Sequence, residues 1–345
     1  MVKDGGIMHD QEERILLGHG SGGRLSHDLI ENIMVAAFAN PALAELHDGA
    51  RLGIGGTKLA FATDSYVVKP RFFPGGDIGK LAVCGTVNDL AMCGAAPLYL
   101  SAGFILEEGL PVDELRRIVA SMSTMAQTAG VAIVTGDTKV VEKGAVDGIY
   151  INTAGIGALL PQADITAKRV KPDQVVIVSG YLGDHAIAVM GERHGLTLPQ
   201  QIISDCAPLN KLIQTLLAAV PAVSMLRDPT RGGLATTLNE IAADAGVGIL
   251  LDESAIPVRP EVQAVCELLG FDPLYLANEG KVVVFVEREY SKKVLTIMRQ
   301  YPVSNAARII GTVTAKPAGQ VALRTTIGGL RLLDMLTGEQ LPRIC

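Results

Sequence analysis

The longest apolar stretch of this 345-residue chain, Leu81–Leu106, places the tightest limit on what it can fold into. A stretch of that length is long enough to cross a membrane as a helix. It is interrupted by Asn88, Asp89 and Pro97, and an ionised carboxylate in the middle of a span is costly in lipid. We therefore expect a buried helix and then a buried strand, in a protein that does not associate with membranes.

The composition restricts the core to aliphatic side chains. Apolar residues make up 48% of the chain, but aromatic residues make up only 4% and Trp is absent, so Ala, Val, Ile and Leu must fill the interior. A charged fraction of 19% at this apolar content excludes a disordered chain. The net charge of −6 and the scarcity of aromatic residues exclude a nucleic-acid-binding protein.

Two α+β halves are predicted, on either side of a polar, proline-flanked segment at Pro161–Asp173. We predict a polar N-terminal lead over residues 1–14, a first domain over 15–165, a second over 166–335 and a tail over 336–345. The lead lacks the apolar region of a secretory signal. The five cysteines are odd in number and form no C-x-x-C pair, which argues against a disulfide framework. We therefore expect a cytoplasmic protein.

Four aspartates lie next to predicted strand ends or helix starts, among small or polar neighbours: Asp64, Asp89, Asp137 and Asp228. Mg²⁺ prefers oxygen ligands and is often shared with substrate phosphates, so aspartates that a fold brings together suit it. A cap or turn residue is the alternative for each aspartate taken alone, because Asp favours those positions.

A glycine-rich segment, His19-Gly20-Ser21-Gly22-Gly23, comes before a predicted helix. Main-chain N–H groups at a helix N-terminus bind phosphate, so this segment is a candidate nucleotide contact. It matches neither the dinucleotide-binding fingerprint nor the P-loop motif, and an ordinary connector explains it equally well. His19 taken alone is also explained as a surface histidine.

Two further polar segments contain candidate residues. Gly136-Asp137-Thr138-Lys139 combines a carboxylate, a hydroxyl and a cation where we predict that a strand ends in a loop. Lys139 is suited to neutralise phosphate charge. Glu279 lies just before a predicted strand and is a candidate general base. For Lys139 the alternative is a solvated lysine, and for Glu279 it is an ordinary turn residue.

The last residue, Cys345, is a thiol at the end of a proline-containing tail without a regular pattern. About eight extended residues reach roughly 25 Å, which is far enough to enter a site on this protein or to meet another protein. Because an exposed terminal thiol is a chemical liability, we regard Cys345 as a candidate reactive residue. An incidental free cysteine is the alternative.

Together these motifs resemble the aminoimidazole ribonucleotide synthetase-like superfamily. The segments that carry this resemblance are Thr63-Asp64-Ser65, Gly79–Pro97, Gly136-Asp137-Thr138 and Asp228–Leu234. Within the superfamily, the chain resembles the HypE family of hydrogenase maturation proteins, which are carbamoyl dehydratases. The segments that carry this closer resemblance are His19–Gly23, Phe72–Gly76, Ile133–Val141 and Pro342–Cys345.

The resemblance implies a two-domain α+β fold, with an N-terminal half that forms a dimerising β-sheet or barrel with flanking helices. It implies a C-terminal α/β sandwich and a flexible tail. ATP and Mg²⁺ are the implied cofactors. The implied partners are a second copy of the chain, the HypF carbamoyltransferase and a HypC–HypD complex that holds iron for [NiFe] hydrogenase.

The resemblance also implies roles for individual residues. Asp64, Asp89 and Asp228 would hold Mg²⁺. The implied nucleotide and phosphate contacts are Gly20, Ser21, Gly22, Gly23, Lys80, Asn88, Asp137, Thr138 and Lys139. Cys345 would carry a carbamoyl group that ATP-dependent dehydration converts to S-cyanocysteine. We expect Glu279 to remove the nitrogen protons, with Lys139 or His19 assisting.

Two other functions remain open from the sequence. One is a small-molecule ATP-dependent kinase or synthetase of the same superfamily, of the selenophosphate or thiamine-phosphate type, in which Cys345 has no role. The other is a non-catalytic carrier whose thiol ferries a group between proteins without nucleotide hydrolysis. The aspartate and glycine motifs argue against the carrier.

Overall fold

The computed structural model describes residues 14–196, 198, 202–336, 338, 341 and 343–345. Most of the predicted polar lead (residues 1–13) and Pro342 of the terminal motif lie outside the described residues. Within these ranges, the chain forms two main β-sheets with helices packed against them. None of the helices in the described part of the chain is long and apolar enough to cross a membrane.

The described residues of the first half form seven strands. They are β1 (Ala50–Ile54), β2 (Thr57–Tyr66), β3 (Phe72–Phe73), β4 (Gly76–Asp77), β5 (Ala95–Glu107), β6 (Ala132–Val141) and β7 (Ile149–Leu159). Five of these form one sheet in the order β1-β2-β7-β5-β6, in which β5 and β6 are parallel and the other neighbours are antiparallel. Strands β3 and β4 form a small separate hairpin.

Seven strands are also formed by the part of the second half that the structure describes. They are β8 (Val175–Val178), β9 (Met225–Arg227), β10 (Gly248–Asp252), β11 (Val283–Val286), β12 (Arg308–Thr314), β13 (Gln320–Arg324) and β14 (Leu330–Leu333). Their order is β14-β13-β10-β12-β8-β11-β9. Strands β8 and β11 are buried along their whole length, which explains their unbroken runs of apolar residues.

Nine α-helices connect or cover these strands in the described part of the chain. They are α1 (Arg24–Leu29), α2 (Ala36–Phe38), α3 (Ile78–Met92), α4 (Val112–Ala129), α5 (Asp184–His194), α6 (Asn210–Ala219), α7 (Gly233–Ala245), α8 (Pro260–Leu269) and α9 (Ser291–Met298). A π-helical segment, Ile30–Val35, joins α1 to α2.

Helix α3 is the central helix of the first half, and its position explains the long apolar stretch. Asp77 caps it by accepting hydrogen bonds from the N–H groups of Gly79 and Lys80. Nearly all of its residues are buried, because it lies between the first sheet and the second half. Gly85 has no side chain, which allows the phenol of Tyr66 to pack directly against the helix.

The other face of the first sheet is open and carries apolar side chains. Phe61 lies opposite Ile156, and Ile156 lies opposite Tyr99, so these three side chains share one face. Ile105 on β5 lies beside Lys139 of β6 on the same face. All four apolar residues remain 37% to 49% exposed in the single chain.

The prediction that the strand ends at Gly136-Asp137-Thr138-Lys139 is wrong. Strand β6 continues to Val141, because its pairing with β5 extends to the register Glu107↔Val141. The segment therefore lies within an edge strand instead of a turn.

Candidate active site

Three carboxylates converge between the two halves of the molecule. Oxygen atoms of Asp48, Asp89 and Asp228 all lie within 4.8 Å of one another. Asp48 precedes β1, Asp89 lies on the last turn of α3, and Asp228 follows β9. Burial raises the pKa of Asp228 to about 6, and burial together with the neighbouring carboxylates raises the pKa values of Asp48 and Asp89 well above their usual range.

Arg227 places a positive charge beside the cluster. The Nε of Arg227 lies 2.7 Å from Oδ1 of Asp48, and its Nη2 lies 3.0 Å from Oε2 of Glu240. The other oxygen of Asp48, Oδ2, is buried without a hydrogen-bond partner among the described residues. A concentrated set of carboxylate oxygens with an unsatisfied member fits a hard divalent cation such as Mg²⁺.

The cluster differs from the predicted metal-binding set by one residue. Asp89 and Asp228 belong to it, but Asp48 takes the place that we expected for Asp64. Asp64 lies near the end of β2, where its Oδ1 accepts a hydrogen bond of 2.7 Å from the N–H of Ser65. Its charge raises the pKa values of Asp89 and Glu279, so Asp64 lies beside the cluster and outside it.

The C-terminal residues are docked against the end of β2. The N–H of Lys69 donates to the Arg343 carbonyl over 3.1 Å, and the N–H of Val67 donates to the Cys345 carbonyl over 3.0 Å. Ile344 is 4% exposed. Cys345 lines a cavity of about 240 Å³ together with Gly20, Ser21, Ser65 and Arg231. The described end of the tail is therefore part of the wall of this cavity.

The charge of a buried carboxyl group, that of Glu279, acts on the Cys345 thiol. Burial raises the pKa of this thiol, the charge of Glu279 raises it further, and the charge of Arg231 opposes both effects. Glu279 is itself 4% exposed, and its Oε1 has no hydrogen-bond partner among the described residues. Burial, followed by the charges of Asp64 and Asp228, raises the pKa of Glu279 well above its usual range. The structure thus places a strongly basic carboxylate near the terminal sulfur.

The side chain of Asn88, a predicted nucleotide contact, is hydrogen-bonded within the protein. Its carboxamide donates to the carbonyls of Ala207 and Glu279, and its oxygen accepts from the N–H of Leu209. The residue is 1% exposed. Because both amide hydrogens have acceptors within the protein, the predicted contact with nucleotide would require Asn88 to give up one of these hydrogen bonds.

The glycine-rich loop lies directly on Arg231 and on the start of the tail. Gly22 has φ of +78°, and a Cβ there would lie 2.7 Å from the Arg231 Cβ. A Cβ on Gly23 would collide with the carbonyl of Leu336. Nη1 of Arg231 donates to the Gly20 carbonyl over 3.2 Å. Two glycines are thus required for this close approach, and Gly20 and Ser21 line the cavity.

Several predicted residues lie outside this cavity in the single chain. His19 is directed at the main chain of Leu16, with Nδ1 2.9 Å from the Leu16 nitrogen. Lys80 donates to the Gly75 carbonyl over 2.8 Å. Lys139 pairs with Asp137 over 2.7 Å on β6, and both side chains are 68% exposed. Asp137 and Thr138 line a separate groove of about 680 Å³ between β6 and α4.

Two residues of the site were not singled out by the sequence. Asp48 follows a histidine and precedes a glycine before a short strand, a context with no distinctive pattern. Arg231 lies inside the Asp228–Leu234 segment that resembles the superfamily, and this was the sequence feature from which it could have been identified.

Comparison with known proteins supports the resemblance found in the motifs. Residues 46–159 match the AIR synthase related protein, N-terminal domain, and residues 171–324 match the corresponding C-terminal domain. The carbamoyl dehydratase HypE of Rhodobacter capsulatus is 53% identical over 338 residues, which cover 97% of this chain and 99% of the relative.

Two solved structures have the same fold. A structure described as a HypE–HypF complex superposes with a TM-score of 0.85 at 50% identity, covering 89% of this chain and 99% of the other. A structure of the hydrogenase maturation protein HypE in complex with ATP superposes with a TM-score of 0.82 at 50% identity, covering 96% and 100%. The predicted two-domain α+β fold is confirmed.

Proposed function

This chain belongs to the HypE family of carbamoyl dehydratases, and on that premise we propose that it dehydrates an S-carbamoyl group on its own Cys345 to S-cyanocysteine. The cyanide would become a ligand of the iron in [NiFe] hydrogenase. The observation that carries the proposal is the docking of Cys345 in a cavity lined by the glycine loop and Arg231, beside buried Glu279.

The chemistry requires that a poor leaving group be made a good one. The carbamoyl oxygen attacks the γ-phosphorus of ATP, ADP leaves, and the nitrogen loses one proton. The C–O bond of the phosphorylated carbamoyl group then breaks, inorganic phosphate leaves with the carbamoyl oxygen, and the nitrogen loses its second proton as the nitrile forms. The balance is carbamoyl-cysteine plus ATP giving cyano-cysteine, ADP, phosphate and one proton.

The acidic cluster is the proposed site for Mg²⁺. Asp48, Asp89 and Asp228 supply only oxygen ligands, and the unpartnered Oδ2 of Asp48 fits a bound cation. When bound, Mg²⁺ neutralises the negative charge of the triphosphate. The loop Gly20–Gly23 and the guanidinium of Arg231 lie beside the terminal cysteine and are the proposed phosphate contacts.

Glu279 is the proposed base for the nitrogen protons. Its carboxylate is destabilised by burial and by neighbouring negative charge, so it binds a proton strongly once ionised. Its unpartnered Oε1 is available to accept that proton. Within one chain we assign the proton transfer to Glu279 alone, because its charge raises the pKa of the Cys345 thiol, whereas His19 contacts the main chain of Leu16 and Lys139 pairs with Asp137.

The docked thiol is itself a poor nucleophile, because its raised pKa keeps it protonated at neutral pH. We therefore propose that the carbamoyl group is loaded with the tail outside the cavity, by the HypF carbamoyltransferase, and that the neutral carbamoyl-cysteine then returns. Transfer of the cyanide to a HypC–HypD complex would require the tail to leave the cavity a second time. These ATP-dependent steps on a free thiol suit a cytoplasmic location.

A homodimer is the proposed assembly. The open face of the first sheet carries Phe61, Tyr99, Ile105 and Ile156, and a second copy would cover these side chains. Pairing of two such faces would also cover Asp137 and Lys139, which lie toward the edge of the same sheet. Sedimentation tests this directly. The Tyr99→Glu variant should be monomeric and Ile327→Glu, at a 94% exposed position elsewhere, should not, and equal sedimentation of both would exclude this face.

Mass spectrometry of the C-terminal peptide tests the reaction. During incubation with HypF, carbamoyl phosphate and ATP, the peptide should first gain about 43 Da, the mass of HNCO, and then lose about 18 Da, the mass of water. Carbamoylation without the ATP-dependent loss would indicate a thiol carrier. Absence of any change on Cys345, with ATP turnover on a small molecule that survives deletion of Cys345, would indicate a kinase or synthetase.

A further inference from the structure

A buried histidine contacts the peptide group just before the terminal cysteine. His185, the second residue of α5, is completely buried, and its Nε2 lies 2.9 Å from the carbonyl oxygen of Ile344. Its Nδ1 lies 2.8 Å from the hydroxyl oxygen of Ser204. The ring of Phe73 meets the imidazole edge to face, with centroids 5.5 Å apart. Each ring nitrogen thus has one protein partner.

The positions of the hydrogens follow from the chemistry of these partners. A carbonyl oxygen only accepts, so Nε2 of His185 carries the hydrogen and donates it to Ile344. Burial lowers the pKa of His185, so the ring is neutral and its Nδ1 accepts the hydroxyl hydrogen of Ser204. The Ser204 oxygen in turn accepts from the N–H of Cys206 over 3.1 Å. Three hydrogen bonds running in one direction therefore fix a single neutral tautomer of His185.

The His185 bond differs from the other contacts of the tail. Arg343 pairs with Asp147 and donates to the Val67 carbonyl, but these groups are partly exposed and can bond to water when the tail leaves. The Nε2 of His185 is fully buried, so departure of Ile344 leaves a donor that has lost its acceptor. This bond therefore favours the docked tail more than an exposed contact does.

We propose that His185, with its tautomer set by Ser204, is a positioning residue that holds the Ile344 peptide so that the Cys345 side chain stays in the cavity during dehydration. The role in dehydration rests on the proposed function, whereas docking of the tail does not. His185 touches the main chain of the tail and is not a catalytic residue.

Two measurements on the same variants test this role. The first is the rate at which iodoacetamide alkylates Cys345, followed on the C-terminal peptide, because the other four cysteines are buried. The second is the rate at which ATP converts carbamoylated protein to the nitrile. Loss of the donor in His185→Leu should raise the first rate about tenfold and lower the second about tenfold, while carbamoylation by HypF is not slowed.

Conservative variants separate positioning from a merely structural role. In His185→Gln the side-chain amide again presents a donor near the Nε2 position, so both rates should return to within a few-fold of the wild type. Ser204→Ala leaves the tautomer unfixed and should change both rates in the same directions as His185→Leu, by a smaller factor. His194→Gln, at an exposed position on the same helix, should change neither rate.

The outcomes are distinguishable. Unchanged alkylation of Cys345 in a folded His185→Leu variant, with a wild-type melting temperature, would overturn the proposal. If His185→Leu does not fold, Ser204→Ala decides the matter, and unchanged alkylation there overturns it. Faster alkylation combined with no nitrile in any protein, including the wild type, would leave the tail contact standing and reject the proposed function.

Discussion

The main-chain N–H of Val67 donates to the carbonyl oxygen of Cys345 over 3.0 Å, so the last residue of the chain pairs with the residue that follows β2. The same strand carries Asp64 near its end. Extended pairing at this point brings the terminal thiol close enough to Asp64 and Glu279 for both charges to raise its pKa. Under the proposed function, the enzyme and its substrate are therefore parts of one polypeptide.

Replacement of Glu279 by Gln should impair dehydration without impairing carbamoylation of Cys345. Gln cannot accept the nitrogen proton, so formation of the nitrile should fall by about 100-fold or more, while carbamoylation and ATP affinity stay normal. Loss of the carboxylate charge should also lower the pKa of the docked Cys345 thiol, because that charge raises it. The pH midpoint of Cys345 alkylation should therefore move to lower pH.

The matched control for this variant is Glu289→Gln, at an exposed position, which should leave both the nitrile yield and the alkylation midpoint at wild-type values. Full dehydration by Glu279→Gln would require a different base.

The glycine loop offers a pair of substitutions with opposite expectations. Gly22→Ala places a methyl group 2.7 Å from the Arg231 Cβ at a positive φ, so the loop must move away from Arg231. We expect a loss of about 1–2 kcal/mol in the free energy of unfolding and weaker ATP binding by calorimetry. Gly20→Ala meets no atom within 4 Å and keeps the main-chain N–H that would contact phosphate, so its stability and ATP affinity should match those of the wild type. Equal ATP affinity in the two variants would show that the loop does not contact the nucleotide.

The acidic cluster predicts which aspartate matters most for Mg²⁺. Asp48→Asn removes a ligand whose oxygens lie among those of Asp89 and Asp228, and should weaken Mg²⁺-dependent ATP binding by about tenfold or more. Asp64→Asn, just outside the cluster, should weaken it less. Titration of each variant with ATP at several Mg²⁺ concentrations measures the difference. A larger loss of Mg²⁺-dependent ATP affinity in Asp64→Asn than in Asp48→Asn would support the metal-binding set predicted from the sequence, which contains Asp64 and not Asp48.

Asp147 makes the stability of the tail contacts sensitive to acid. Lys69, at 2.7 Å, and Arg343, at 2.8 Å, lower the pKa of Asp147 to about 2. A lowered carboxyl pKa stabilises the folded state above the ordinary value of about 4, and this contribution is lost as the pH falls through about 2. Asp147→Asn should therefore reduce stability at pH 7 by roughly 0.5–1 kcal/mol, a value limited by solvent screening.

Urea unfolding at pH 7, 4, 3 and 2 checks this expectation. The gap in the free energy of unfolding between the wild type and Asp147→Asn should become smaller toward pH 2. Asp113→Asn, whose partner Arg116 is highly exposed, should show almost no gap at any pH. A gap that stays constant down to pH 2 would show that the Asp147 ion pairs are not its source.

The fold was predictable from local patterns, since the buried helix α3 and the all-apolar strands β8 and β11 are visible as runs of aliphatic residues. The motifs also placed Cys345 and Glu279 in one site, and Asp89 and Asp228 in one cluster. In the structure, carboxylate oxygens of Asp89 and Asp228 lie within 4.8 Å of each other, and the charge of Glu279 raises the pKa of the Cys345 thiol.

What the sequence did not reveal depends on contacts between distant segments. Asp48 joins the cluster because Arg227 pairs with it, and nothing local marks that pairing. Asn88 has the residue type of a ligand contact, but its hydrogen bonds to the Ala207 and Glu279 carbonyls appear only in the folded chain. Gly136–Lys139 has the composition of a turn, and pairing with β5 keeps it in a strand.

The destination of the carbamoyl oxygen tests the central claim most directly. Protein carbamoylated on Cys345 with a group whose carbonyl oxygen is oxygen-18 is mixed with ATP, and the inorganic phosphate is analysed by mass spectrometry. Activation by phosphorylation predicts one heavy oxygen in the phosphate for each nitrile formed on Cys345. Unlabelled phosphate with the heavy oxygen in water, or a nitrile yield that persists in protein ending at Ile344, would contradict the account.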